Sequence, residues 1–537
     1  MTALLIFAIA LVARAYFAAQ IVFPKPEDTA YYVGVARNLL EGRGLVSDAL
    51  WSYQTPPLIF PRPAFEVWLP LPTFLAAIPM ALFGATFAAA QVSSVLVGAI
   101  VSVLAWRLAL DVAEERELTV ERARWVGIGV GATTAVYLPL LLSSSLPDST
   151  MPFAAIVLGT CLLMTRVVRD PRRAALTDPR LVGLGVLLGL GALTRNETVW
   201  LALIWAGLVW FTVARPASER LRMIGVVAVV ALAVFTPWAY RNLAVLGSPL
   251  PGQAVTNALY LSGFDIFAWN DPPTLARHLA IGPAALIELR IAGLTHNLFN
   301  VLVLLGIPVS VIGLVALPWH GRGLSLRPLL WISLIMFFVT SLLFPAATQW
   351  GTFLHAAAPV HVLIVISAAF ALDAGIARLG RRMNWTNPIA WLGTAVGFGS
   401  SLLFSAALLP TFGGGSHATQ DMYAELGARM AAIGRPLDRT AGPVITNFPI
   451  WMAEVQRIPS LALPDEPPED ILDLARTFPG TRLMVLISPE GKHWPADIEA
   501  GLPGSECFQP VDLGRPTAGS AGEDLLADVV VYEIVCP

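Results

Sequence analysis

The sequence is poor in charge and poorer still in lysine. Asp, Glu, Lys and Arg make up 13% of its 537 residues, against about 25% in an ordinary soluble domain. Lys25 and Lys492 are the only lysines; the preference for arginine reads as codon bias without functional content. The formal net charge is −3, so no basic surplus points to nucleic acid. Cysteine is limited to Cys161, Cys507 and Cys536, which excludes zinc-finger, iron–sulfur and disulfide-scaffold readings. No phosphate loop of the Walker type, no H-E-x-x-H and no G-x-S-x-G occurs. Without a cytoplasmic nucleotide-binding domain, an ATP-driven pump is excluded.

What is abundant is apolar. Hydrophobic residues reach 56% and mean hydropathy is +0.68, values that rule out a disordered chain. The apolar residues form blocks of membrane-spanning length. The first, Ala3–Phe23, lacks a basic leader and carries Arg14 in its middle, so it reads as an uncleaved membrane helix. Further runs cover Thr86–Val112, Trp125–Leu142, Thr150–Val168, Leu181–Leu193, Thr198–Val213, Met223–Tyr240, Leu298–Pro318, Pro328–Phe344, Ala356–Leu372 and Ile389–Leu409. The fold class expected is a polytopic all-α membrane protein of about eleven spans. The segment Ala64–Gly84, with Glu66 and three prolines, is expected to lie at the interface.

Arginines set the expected orientation. Arg116, Arg122, Arg124, Arg166, Arg169, Arg172, Arg173, Arg180, Arg215, Arg220, Arg222, Arg322, Arg327, Arg378, Arg381 and Arg382 fall in alternate short loops. That side is expected to be cytoplasmic, with the N-terminus inside and the C-terminal region outside a plasma membrane. Residues 1–410 then form a membrane domain whose first outer loop is 24–84. Residues 411–537, introduced by the glycine-rich break Gly413-Gly414-Gly415-Ser416, form a small extracytoplasmic α/β domain. Strands are expected near Val444–Asn447, Arg482–Ser488 and Asp528–Val535, and a helix over Glu469–Phe478. A Cys507–Cys536 disulfide is expected in that oxidising setting, with Cys161 reduced inside a span.

Charge is costly in such a chain, so charged residues at the outer face call for a reason. Asp28 opens the helix after Pro26-Glu27-Asp28, where it serves as a cap or as a carboxylate at the mouth of a cavity. Asp148 lies in the short outer loop before the fourth span, as a loop acid or a second site carboxylate. Arg14, Arg62, Arg195 and Arg241 are snorkelling cations taken singly. Taken together on a face that disfavours cations, they suit an anionic membrane ligand such as a lipid phosphate. His355 stands at the outer start of the tenth span and His361 deeper within it. The stretch Phe264–Asp271 reads as a sugar-binding loop or an interfacial aromatic belt.

These pieces, in this order, resemble the lipid-linked-sugar-dependent glycosyltransferases of the GT-C fold. The resemblance is to the glycosyltransferase family 39, aminoarabinose-transferase-like and protein O-mannosyltransferase groups, over about Met1–Leu409. It rests on Asp28, Tyr32, Ala36, Arg37, Leu39, Leu40 and Gly42 after the first span, Arg62-Pro63 and Leu82-Phe83-Gly84, Asp148, Leu193-Thr194-Arg195, Pro237-Trp238 with Arg241-Asn242, and Gly351-Thr352-Phe353-Leu354-His355. The family commonly has Asp-Glu where this chain has Glu27-Asp28, so Asp28 is the expected equivalent and Glu27 the alternative. The resemblance implies an inverting, mannosyltransferase-like enzyme of the cell envelope. It would move a monosaccharide from a polyprenyl-phosphate donor to a hydroxyl or amine of a glycan, lipid or protein on the outer face of the bilayer. Asp28 or Glu27 would be the base. Arg62, helped by Arg14, Arg195 or Arg241, would steady the leaving phosphate, and Asp148, His355 and Tyr32 would bind substrate. No metal or other cofactor is required, and no nucleic-acid partner is implied. A transporter or flippase of lipid-linked sugars is the alternative; it would place substrate near the midplane between repeats.

Overall fold

In a bilayer the backbone has no partner but itself, and the apolar runs accordingly become helices. The structure is a computed structural model that describes residues 1–171, 178–320, 323–385, 389–439, 442–514 and 524–536. Arg172, Arg173 and Arg322 lie outside the described residues. Six described helices are long and apolar enough to cross a membrane: Phe87–Glu115, Thr150–Arg169, Ala217–Leu246, Gly282–Gly306, Ala358–Arg382 and Trp391–Ala432. A seventh crossing is the pair Val120–Val136 and Leu138–Ser144, bent by 54°; Pro139 at its second helix start lacks the N–H that would continue the ladder. Shorter apolar helices include Thr2–Ala18, Pro179–Ala192, Thr198–Thr212, Val309–His320 and Arg327–Leu343. The chain is a multi-pass membrane protein.

Small residues let these helices approach. A Cβ on Gly185 would come within 2.6 Å of the Val230 side chain, and one on Gly189 within 2.5 Å of Val234. Glycines four apart therefore seat Pro179–Ala192 against Ala217–Leu246. Arg116 reaches the His320 carbonyl, Arg122 pairs with Asp373, and Arg169 bonds Ser325. These contacts lie at one end of the bundle. Asp373 is roughly 22 Å along its helix from the His355 end, so the arginine end and the His355 end are opposite.

Two expectations differ from what is observed. The run read as one span, Leu298–Pro318, is divided: the helix from Gly282 continues through a π-helical turn at His296–Val303, and Pro308 separates it from Val309–His320. Glu288 and Arg290 hide the first part from an apolar window. By contrast, the segment Ala64–Gly84 agrees with the expectation that it does not cross: it holds the helix Leu71–Phe83, about 20 Å long and too short to span. The glycine-rich stretch does not break the chain but lies inside Trp391–Ala432, so the expected division at 410/411 falls within one helix. Tertiary contacts outweigh the weak propensity of glycine there. Gly413 packs on Gln20, and Ser416 Oγ accepts from Val22 N at 3.0 Å and Phe23 N at 2.9 Å.

Beyond that helix the chain forms a mixed sheet. The described strands are β1 (Val46–Ser47), β2 (Ala49–Leu50), β3 (Arg62–Pro63), β4 (Val444–Thr446), β5 (Ser460–Ala462), β6 (Leu483–Ile487), β7 (Phe508–Pro510) and β8 (Val529–Ile534). β1 and β3 pair antiparallel; the larger sheet runs β2-β5-β4-β6-β8-β7. Its first four strands are parallel and its last two antiparallel additions. A helix spans Pro468–Thr477, close to the expected one. Cys507 and Cys536 are joined, with Cα atoms 5.2 Å apart, and Cys161 is free and buried. β2 comes from the first loop, so the sheet is completed by residues some four hundred positions upstream. A buried Arg37–Glu454 ion pair and a bond from Trp451 Nε1 to Pro24 O at 3.0 Å tie the two parts together.

Candidate active site

At the His355 end of the bundle, beneath the C-terminal sheet, lies a cavity of about 530 Å³. The helix Glu27–Leu40, the loops 194–200 and 347–355, the loop 252–267 and the C-terminal residues Phe448, Ile450 and Trp451 all border it. Its polar groups converge on one histidine. His355 Nε2 is 3.3 Å from Asp28 Oδ2, and Nδ1 is 3.3 Å from Asp148 Oδ2. Thr150 Oγ1 also lies 3.3 Å from Nδ1. Asp148 Oδ1 accepts from Thr150 N at 2.8 Å, so this acid is tied to the start of the helix Thr150–Arg169 and braces the histidine at once. Burial pulls the His355 pKa down, but the Asp28 charge, then the hydrogen bond and charge of Asp148, outweigh it; the net shift is upward. The imidazolium is therefore favoured between two carboxylates.

Asp28 does not cap its helix. The N-cap is Pro26 and no side chain caps the end, which leaves the Asp28 carboxylate to the cavity, 29% exposed. Tyr32, one turn on, is hydrogen-bonded to Ser149; burial first, then the Asp28 charge, raise its pKa and keep the phenol neutral. Arg195 donates to Ser149 Oγ at 2.9 Å, to Glu197 at 2.6 and 3.2 Å and to Thr352 O at 3.3 Å. The structure thus brings Asp28, Tyr32, Asp148, Arg195 and His355 together from four separate parts of the chain.

The other expected residues lie elsewhere. Glu27 borders the cavity, but its Oε1 accepts from Ile450 N at 2.9 Å and Trp451 N at 3.4 Å, fastening the C-terminal helix Pro449–Val455. Burial raises its pKa to about 8, against the lowering effect of those two N–H groups. Arg62 is completely buried. It donates to Ser52 O at 2.8 Å and to Thr55 O, and pairs with Glu66 at 3.2 Å. Arg14 is buried inside the bundle on Leu140 O, Ser144, Ser102 and Thr134 O. Arg241 lies over Trp238 and donates to Ala64 O at 2.8 Å. None of these three borders the cavity. Their guanidinium groups are engaged by carbonyls that a sequence does not display. His361 is buried against Tyr137, 5.6 Å between rings.

One cavity residue escaped the sequence reading. Lys25 borders the cavity and stands 5.7 Å over the Trp451 ring; among the described residues no carboxylate forms an ion pair with it. The signal was available: a lone lysine beside Glu27-Asp28 in a chain that otherwise uses arginine. Phe264 and Phe267 pack on Trp350 at 5.4 and 5.6 Å, and Asp265 pairs with Arg277 at 2.9 Å. Of the stretch 264–271, Ile266 and Phe267 border the cavity, while the N–H groups of Trp269, Asn270 and Asp271 donate to the Glu466 carboxylate and tie the loop to the C-terminal part.

Comparison with known proteins is consistent with this geometry. A family model described as dolichyl-phosphate-mannose-protein mannosyltransferase matches residues 62–240. No curated protein matches the sequence. Among solved structures, ArnT from Cupriavidus metallidurans bound to undecaprenyl phosphate has a TM-score of 0.55 at 14% identity, covering 99% of this chain and 98% of that one. Its apo form gives 0.54 at 14%, with the same coverage. The chain shares the GT-C fold of these proteins.

Proposed function

We propose that this protein is an inverting glycosyltransferase that takes a monosaccharide from a polyprenyl phosphate. The acceptor is a hydroxyl or amine of a glycan, lipid or protein at the extracytoplasmic face, on the side of the bundle where the mixed sheet sits. The observation that carries the reading is the Asp28–His355–Asp148 array at the edge of a cavity that also holds Lys25 and Arg195. The matched family model and the shared fold support glycosyl transfer.

In this reading Asp28 is the general base, within reach of the cavity and free of helix capping. His355 orients Asp28 and offsets its charge, and Asp148 fixes the ring of His355. The acceptor oxygen attacks C1 of the sugar as its proton passes to Asp28. The bond from C1 to the phosphate oxygen breaks, and its electron pair leaves on the polyprenyl phosphate. Attack opposite the leaving group inverts C1 through an oxocarbenium-like state. Lys25 and Arg195 meet the charge that grows on the phosphate, where fixed cations in a poorly solvated site contribute most. Arg62 keeps the first loop folded instead. These cations suffice for the leaving group, so the scheme assigns no step to a metal.

The test is transfer by purified protein from a panel of radiolabelled polyprenyl-phosphate sugars, with membrane extract as acceptor source. Label is expected in a product whose anomeric centre is inverted. Absence of transfer from every donor, with bare polyprenyl phosphate also failing to bind, would overturn the reading.

A further inference from the structure

The two cations beside the cavity are held very differently. Arg195 is fixed by Ser149, Glu197 and Thr352. Lys25 is exposed and has no ion-pair carboxylate among the described residues. A lysine carries its charge on a flexible four-carbon stem and loses that freedom when it takes a ligand. Whatever restricts the stem beforehand therefore favours binding.

The restriction comes from the C-terminal part of the chain. Lys25 Nζ lies over the Trp451 ring, 5.7 Å from its centroid, where the negative face of an indole attracts an ammonium. The ring is itself fixed. Trp451 is 7% exposed, stacks on Phe448 at 4.6 Å and 29°, and meets Phe23 edge-on at 5.5 Å and 69°. The same residue grips the chain on both sides of Lys25. Its Nε1 donates to Pro24 O at 3.0 Å, and its backbone N donates to Glu27 Oε1 at 3.4 Å. One residue thus contacts positions 24, 25 and 27, setting both the path of the segment before Asp28 and the direction of the ammonium. The short helix that carries it is anchored in turn. Ile450 N also donates to Glu27 Oε1, at 2.9 Å, and the buried Glu454 pairs with Arg37.

We infer that Trp451 is a positioning residue for Lys25: it holds the ammonium where a lipid phosphate is received, so the C-terminal sheet domain completes the donor site. The inference rests on the glycosyltransferase reading, in which Lys25 meets the phosphate, and deepens it. Trp451 acts through Lys25 and needs no contact with the lipid of its own.

The experiment uses the full chain in nanodiscs and reads the dissociation constant for bare polyprenyl phosphate per folded molecule. The parent is compared with Lys25→Gln, Trp451→Leu, Trp451→Phe and the double variant Lys25→Gln/Trp451→Leu. Trp451→Leu should weaken binding by about three- to tenfold, through loss of the cation–π contact and the order it imposes. Trp451→Phe keeps a ring for the ammonium and should bind more tightly than Trp451→Leu. With Lys25 already replaced, Trp451→Leu should change affinity by less than about twofold, because its route to the phosphate is gone. If Trp451→Leu does not fold, the same cycle is run with Trp451→Phe, whose smaller loss should likewise vanish in the Lys25→Gln background. Parent-like binding by Trp451→Leu, or an equal loss in both backgrounds, overturns the positioning role. Failure of the parent to bind polyprenyl phosphate, or parent-like binding by Lys25→Gln, instead overturns the phosphate assignment beneath the inference, and the inference falls with it.

Discussion

The two ends of the first loop carry similar charges with opposite fates. At its start, Lys25 and Asp28 border a cavity, Lys25 without an ion-pair carboxylate among the described residues and Asp28 paired with the His355 ring. At its end, Arg62 and Glu66 are almost wholly buried, paired with each other, and Arg62 is further held by Ser52 O and Thr55 O. Burial alone therefore does not mark the site; bordering the cavity does. Arg62, its two terminal nitrogens held by carbonyls away from the cavity, shapes a loop, whereas Lys25, which borders the cavity, is available to an anion.

Several substitutions break or sharpen that contrast. The largest effect is expected from Asp28→Asn, which keeps the size of the side chain and removes the base. Single-turnover transfer should fall by about 10²–10⁴-fold, with donor-lipid affinity nearly unchanged. Arg62→Ala should act on stability instead. It leaves the Glu66 carboxylate buried without its partner, at a cost of about 3–5 kcal/mol, read as a lower unfolding midpoint in detergent. Asp148→Asn keeps an oxygen for Thr150 N but removes the charge that holds His355. Turnover should drop by about ten- to hundredfold through misplacement of the ring. With one of its two acidic neighbours neutralised, the His355 imidazolium should be lost at lower pH than in the parent, which a pH–rate profile reads.

The smallest effect is expected at Glu27. Its folded pKa, about 8, lies above its ordinary value of 4.5, so the folded state holds a proton that the unfolded state releases. Stability from this group is present below about pH 4.5 and declines as pH rises towards 8. Both N–H bonds from the C-terminal helix go to Oε1, which an amide oxygen can replace. Glu27→Gln should therefore transfer sugar at near-parent rates and flatten the fall in melting temperature between pH 6 and 9. An unchanged slope would remove Glu27 from that role.

The clustering of Asp28, Asp148, Arg195 and His355 follows in the sequence from charge and span length, which put them at one end of the spans; Tyr32 enters only through the family resemblance. The structure brings the five together. What was not legible has physical reasons. The carbonyls that engage Arg14, Arg62 and Arg241 belong to the backbone, and sequence does not show where a carbonyl points. Lys25 was dismissed because a compositional explanation for the missing lysines hid the meaning of the one retained beside the acids. β2 is two residues long and gains its identity only by pairing with β5. The Gly413–Gly415 stretch reads as a break because glycine propensity is local, while the contacts of Gly413 and Ser416 with the end of the first helix are not.

The contrast between the two loop ends is tested most directly by one paired measurement. The dissociation constant for polyprenyl phosphate is compared for Lys25→Gln and Arg62→Gln, each counted per folded, monodisperse molecule. Loss of a charge-assisted contact should weaken binding to Lys25→Gln by about ten- to hundredfold. Arg62→Gln should bind as the parent does, although less of it survives purification. Parent-like binding by Lys25→Gln together with lost binding by folded Arg62→Gln would contradict the account and return the phosphate to Arg62.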